Sequence, residues 1–317
     1  SGIGTAAIVS IGPIVYPVLL KQGYGRGFSA GLILAASTLA MLVPPSVSMI
    51  LYSLATNTSV GGVFLSGLSA GLVFLVILML YCYLYAKIKQ TERHSKASWQ
   101  ERLVSLKESG WSLGLPLIIF GGIYAGTFTP TEAASGACVY SIFVETVIYR
   151  KLKFRDLFNV TEKSAILISS LLILLTAGSA LAYFMALQDI PQLISGFMEG
   201  SSSTQVLLSI NVVFLVAGMF VDPNSVIIVL TPLFAPIAQA VAIDPLHLGA
   251  VVVLNVAIGM MTPPFGLNLF IGMATFKVPF LELCRGILPY IAIALLALIL
   301  VTYLPVLTTW LPRWVGL

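Results

Sequence analysis

Val43-Pro44-Pro45-Ser46 and Thr262-Pro263-Pro264-Phe265 are one interruption written twice in an otherwise apolar chain. A shift of 219 positions (264 − 45) lays the second on the first without a gap. The same shift pairs Pro13 with Pro232, Pro17 with Pro236, Met41 with Met260, Ala55 with Ala274, Thr56 with Thr275 and Gly67 with Gly286. Adjacent prolines remove backbone donors and clash with the preceding turn, so each pair forces a helix to unwind. At membrane depth the freed carbonyls must line protein or a wet cavity rather than lipid. A repeat whose shared features are helix breakers inside apolar segments is the pattern of secondary transporters.

The composition places the chain in a membrane. Of 317 residues 58% are hydrophobic and 9% charged, with a mean hydropathy of +1.02. A soluble domain carries about 25% charged residues, so these few cannot cover a water-facing surface. The stretches 61–86, 165–187, 204–221 and 287–307 each approach or exceed the roughly 20 apolar residues that span a bilayer as helix. The fold class expected is an all-α polytopic membrane protein with inverted repeats, re-entrant helical hairpins and Pro-broken transmembrane helices.

Net charge is +4, but its carriers are clustered. Lys87, Lys89, Arg93, Lys96, Arg102 and Lys107 share one segment, and Arg150, Lys151, Lys153, Arg155 and Lys163 another. Basic loops stay cytoplasmic, so both read as orientation signals. Glu92, Glu101, Glu108, Asp156 and Glu162 are interleaved with them, which argues against a nucleic-acid surface. Cys82, Cys138 and Cys284 have neither disulfide nor metal spacing. With Lys21, Arg26, Lys277 and Arg285 also inside, the two halves cross the membrane in opposite senses.

The plan expected for 1–317 is a single transmembrane domain. A first repeat covers 1–86, a basic cytoplasmic loop 87–110, connecting helices 111–203 and a second, inverted repeat 204–311. In the second copy the apolar run 204–220 precedes the matching region. Its counterpart would lie before Ser1, so the first repeat is expected to lack its leading hairpin helix. No cleavable leader pattern is visible.

Asp222 is the sharpest single residue. An acid between long apolar runs is expensive in lipid and marks a substrate or ion path, while Asp before Pro223-Asn224 also suits a helix cap. Glu132, in Thr129-Pro130-Thr131-Glu132, has the spacing of a capping box. Ser46, Ser48, Asn255, Thr262 and Asn268 bring hydroxyls and amides to the two breaks. Unwound carbonyls suit a weakly held monovalent cation such as Na⁺, and half-helix N-termini suit an anionic substrate. The competing reading is a plain proline kink. Gly27/Gly31 and Gly67/Gly71 have the spacing of close helix packing. No His-Glu-x-x-His zinc motif and no Walker loop is present.

At these motifs the chain resembles the large membrane subunit of tripartite ATP-independent periplasmic (TRAP) transporters. The resemblance is carried by Ser1-Gly2 through Pro17, Val43-Pro44-Pro45-Ser46 and Phe128-Thr129-Pro130-Thr131-Glu132-Ala133-Ala134. It continues through Gly218-Met219-Phe220-Val221-Asp222-Pro223 and from Asn255 to Leu269. It implies an elevator-type, Na⁺-coupled importer of small organic acids in the bacterial inner membrane, with no other cofactor and no enzymatic activity. The implied partners are the lipid bilayer, a small membrane subunit and a periplasmic binding protein that delivers the organic-acid substrate. Sodium positions implied are Ser1, Ala40, Val43 and Pro45 in the first half, and Gly126, Thr129, Gly259 and Met261 in the second. Substrate contacts implied are Ser46, Asp222, Pro223, Asn224 and Asn268. Ala40 departs from the glycine that relatives usually carry. Other classes remain open to the sequence: a non-transporting scaffold or inactive fragment that binds partner subunits, and a passive channel. An intramembrane enzyme lacks an evident nucleophile–base pair.

Overall fold

The breaks and caps of the sequence become a chain of short and long helices. The computed structural model describes residues 2–90, 98–197, 200 and 202–316. Among these residues all regular structure is helical. In chain order the helices are α1 (Gly4–Lys21), α2 (Arg26–Thr38), α3 (Val47–Thr56), α4 (Val60–Ile88) and α5 (Trp99–Glu108). Next come α6 (Gly110–Tyr124), α7 (Pro130–Phe143), α8 (Phe154–Leu187), α9 (Ile190–Phe197) and α10 (Ser203–Phe220). The last are α11 (Pro223–Ala240), α12 (Pro245–Gly259), α13 (Leu267–Phe276), α14 (Phe280–Tyr303) and α15 (Val306–Val315). Six of the described helices, α1, α4, α8, α10, α11 and α14, are long and apolar enough to cross a membrane.

The described residues divide into two units, Ser1–Thr91 with Leu175–Leu317, and Glu92–Leu174. The first unit contains both breaks. Each break joins two short apolar helices, α2 to α3 and α12 to α13, as the paired prolines require. Both Pro44–Pro45 and Pro263–Pro264 peptide bonds are cis.

The duplication is visible in the packing. α1 packs on α13 and α11 on α3; α2 packs on α14 and α12 on α4; α1 packs on α2 and α11 on α12. Each of these contacts recurs with the partners exchanged, which is the signature of a two-fold relation between α1–α4 and α11–α14. Helix directions show which two-fold it is. Phe28 stacks on Tyr85 at 3.9 Å between centroids, Leu42 borders Gly71 and Met49 borders Gly67, so α4 runs opposite to α2 and α3. On α14, by contrast, Gly27 meets Glu282 and Gly286 while Gly31 meets Gly286 and Tyr290, so α14 runs with α2. The mates α4 and α14 therefore run in opposite directions, and the repeats are inverted.

The gapless 219-residue shift holds only up to the breaks. α1 and α11 begin 219 residues apart (223 − 4), but α3 and α13, and α4 and α14, begin 220 apart (267 − 47 and 280 − 60). The left-handed caps Asn57 (φ 52°) and Lys277 (φ 53°) keep the same 220 offset (277 − 57). Pro45 pairs with Pro264 and the N-cap Ser46 with the N-cap Gly266, so the extra residue is Phe265. A Cβ on Gly266 would lie 2.5 Å from the Met260 carbonyl oxygen and 2.8 Å from that of Thr262, a space only glycine fits. The pairings of Ala55 with Ala274, Thr56 with Thr275 and Gly67 with Gly286 are thus each displaced by one residue.

Elsewhere the helices differ from the sequence expectation in extent. Within the basic stretch 87–110, residues 99–108 form α5, opened by a capping box in which Ser98 N donates to Glu101 Oε2 at 2.7 Å. α8 starts at Phe154 rather than near 165. The last span stops at Tyr303, and Pro305 separates it from a distinct amphipathic helix, α15. In the second unit α6 and α7 form a hairpin, held by the Tyr140 hydroxyl on the Trp111 carbonyl at 2.7 Å.

Candidate functional site

Burial and helix geometry converge on one cavity in the first unit. It encloses about 200 Å³, and its wall includes the first residues of four helices: Gly4 of α1, Val47 of α3, Pro223 of α11 and Leu267 of α13. These are two pairs of repeat mates. Met41 and Met260, a third pair, lie beside them. The first N–H groups of a helix have no intrahelical partner, and the aligned peptide dipoles add positive potential there. Four such ends around one space favour negative charge there without a cationic side chain; among the described lining residues there is no Lys, Arg or His.

The four ends are not equivalent. At α1, α3 and α13 no side chain caps the helix. At α11 Asp222 Oδ1 accepts from Asn224 N and Ser225 N, each at 3.1 Å, and Oδ2 accepts from the Ser225 hydroxyl. Both functions considered for Asp222 therefore meet in one place, since it caps α11 and lines the cavity. Ser48 Oγ, on α3, donates to Asn224 Oδ1 at 3.1 Å and ties the first break to the hairpin tip of the second repeat.

Of the expected substrate contacts, Asp222, Pro223 and Asn224 line the cavity. Ser46 and Asn268 are fully buried beside the lining residues Val47 and Leu267. Ser46 Oγ and Asn268 Oδ1 have no hydrogen-bond partner, while Asn268 Nδ2 donates to Ser37 Oγ at 3.4 Å. Of the expected sodium positions, Ala40, Val43 and Pro45 share the first break, with Val43 and Pro45 exposed. Gly259 and Met261 are buried at the second. Ser1 lies outside the described residues. Gly126 and Thr129 belong to the second unit, where Thr129 and Glu132 form the capping box of α7: Thr129 N donates to Glu132 Oε2 at 2.8 Å. Among the described residues no group of three or more His, Cys, Asp or Glu could hold a metal, so a cation here would rest on carbonyl, hydroxyl and amide oxygens.

Sequence reasoning missed Gly2, Gly4 and Thr5, which line the cavity. Gly2 has φ +63°, and a Cβ on it would collide with the Pro45 carbonyl oxygen. The signal was present, since Gly4 is the repeat mate of Pro223, the residue after Asp222.

Inverted repeats of broken helices whose N-termini surround one cavity are the pattern of a secondary transporter. The chain belongs to the TRAP transporter family: residues 1–307 match the tripartite ATP-independent periplasmic transporter, DctM component. It is 40% identical to the ectoine TRAP transporter large permease protein TeaC of Halomonas elongata, over 96% of this chain and 72% of that one. It is also 40% identical to the C4-dicarboxylate TRAP transporter large permease protein DctM of Pseudomonas aeruginosa, over 100% of this chain and 75% of that one. Identity to the sialic acid TRAP transporter large permease protein SiaM of Vibrio cholerae is 33%, over 99% and 74% of the two chains. The chain is accordingly an integral inner-membrane permease subunit and not an enzyme.

Proposed function

We propose that this permease imports small carboxylate-bearing solutes, driven by sodium, and receives them from a periplasmic binding protein while paired with a small membrane subunit. The observation that carries the reading is the cavity ringed by four helix N-termini, three of them without a side-chain cap. At α13 Asn268 N and Leu269 N already donate to the Met260 and Gly266 carbonyls, each at 2.9 Å, so a substrate carboxylate would serve chiefly as the acceptor for the first N–H groups of α1 and α3, a built-in preference for an anion. Asp222 already fills that role at α11, which leaves one end of the cavity occupied and fixes the substrate's orientation. Sodium would sit on carbonyl oxygens of the breaks around Ala40, Val43 and Pro45 and around Gly259 and Met261. Binding there would shape the same loops that place Val47 and Leu267, which couples ion to substrate. The relatives named for C4-dicarboxylates and sialic acid are consistent with this class. The two units would move relative to the membrane in an elevator cycle.

The complete transporter, reconstituted in proteoliposomes with an imposed sodium gradient, tests this. Dicarboxylates should accumulate against their gradient, and the corresponding diamides should not. Accumulation that is unchanged when potassium replaces sodium would contradict the coupling; equal transport of acid and amide would contradict the anion site.

A further inference from the structure

His247 lies in the first turn of α12, 2% exposed, and the function proposed above does not use it. It is about 20 Å along the helix from Met260 of the cavity, at 1.5 Å per residue. Its ring joins three helices: Nδ1 is 2.8 Å from Thr308 Oγ1 of α15, and Nε2 is 3.2 Å from the Thr302 carbonyl of α14. A carbonyl only accepts, so Nε2 carries a proton whenever that bond is made. Thr308 has one hydroxyl proton and also lies 2.9 Å from the Pro305 carbonyl oxygen. With a neutral imidazole that proton serves either Nδ1 or Pro305, and one of the three contacts goes unmade. With an imidazolium, Nδ1–H donates to Thr308 Oγ1, the Thr308 proton goes to Pro305, and all three close.

The arrangement continues inward. Thr302 Oγ1 accepts from Asn211 Nδ2 of α10 at 3.0 Å, and Asn211 Oδ1 accepts from Asn255 Nδ2 of α12 at 2.7 Å. One to two turns further on, α10 and α12 meet so closely that a Cβ on Gly259 would lie 2.6 Å from the Gly218 carbonyl carbon. The polar brace thus ends beside the second break. On the elements packed around the ring, the charged and titratable groups near it in sequence are Asp244, the N-cap of α12, Tyr52 of α3, Tyr303 of α14 and Arg313 of α15, while Glu282, Cys284, Arg285 and Tyr290 stand at least three turns away along α14. The first turn of α4 and the whole of α10 bring none. Tyr52 gives its hydroxyl proton to the Pro245 carbonyl at 2.7 Å; burial disfavours a charged ring, and the Thr302 carbonyl and Asp244 act against it in favour of the proton.

We propose that His247 is a proton-binding site of the permease, separate from the cavity, whose bound proton completes the clasp of α15 on α12 and α14 and firms the Asn211–Asn255 brace behind the second break. His247 is a positioning residue in this role. The chain has two histidines, so ¹³C-histidine labelling of the purified protein gives two ring signals, and His94→Gln assigns them. The His247 signal should titrate. In Thr308→Val, which removes the acceptor of Nδ1–H, the midpoint should move to lower pH. Uptake by the complete transporter should show a pH-dependent component in the same range that His247→Gln abolishes. A His247 signal that does not titrate, a midpoint unchanged by Thr308→Val, or identical pH profiles of uptake with and without His247 would overturn the proposal.

Discussion

Asp222 shows how one residue reconciles a cap with a binding site. Its carboxylate spends both oxygens on the α11 terminus, so at the cavity it acts through the geometry of the hairpin tip, holding Asn224 where Ser48 reaches it. Loss of an Asp cap costs about 1 kcal/mol. Asp222→Ala should therefore lower the unfolding free energy by roughly that amount, abolish uptake and still insert in the membrane, whereas Asp222→Asn retains the acceptor and part of both properties. Chemical denaturation and uptake assays on the two variants check this; normal uptake by Asp222→Ala would remove the residue from the site. That Asp222 caps a helix was legible in the sequence, because Asp before Pro-Asn suits a helix start, and a charge between two apolar runs also marks a candidate site. Which of its two roles applies was not, because one Asp-Pro-Asn spacing serves both.

Among the elements, the broken helices and their crossings carry the architecture. Two adjacent prolines announce a break at any tertiary context, and both breaks stand where the sequence puts them. The single-residue insertion at Phe265 was hidden because the surrounding residues are apolar in either register; only the pairing of the helix N-caps Ser46 and Gly266 distinguishes them. α5 was hidden for another reason. A basic segment reads as a loop, although Ser98 and Glu101 have the capping-box spacing that starts a helix. The small residues Gly27 and Gly31, read as packing positions, meet Gly286 on α14. A Cβ on Gly31 would lie 2.5 Å from the Gly286 carbonyl oxygen and 2.8 Å from the Tyr290 ring. Overpacking of this kind costs about 1–3 kcal/mol, so Gly31→Ala should lower thermal stability measurably. Gly121→Ala, inside α6 with open space around it, should not lower it. Equal melting of the two variants would argue against a tight α2–α14 crossing.

For the molecule as a whole, inversion follows from a few contacts: α4 antiparallel to α2, α14 parallel to it. The charge asymmetry of the sequence leads to the same arrangement by an independent route, because basic residues on one side of every crossing require the halves to be upside down. What the sequence could not show is that the N-termini of α1, α3, α11 and α13 meet, since that depends on packing between segments about 220 residues apart. The convergence brings two proline breaks to one cavity, so the ion and substrate sites proposed above would share the same loops. The most direct test of that account is thermal unfolding of the purified chain in detergent, in NaCl against KCl at matched ionic strength. A ligand bound only by the folded state stabilises it by RT ln(1 + [L]/Kd), about 1.4 kcal/mol at tenfold above Kd. A melting temperature raised by sodium and not by potassium is the expected result; the same melting temperature in both salts would contradict a sodium site built from the two breaks.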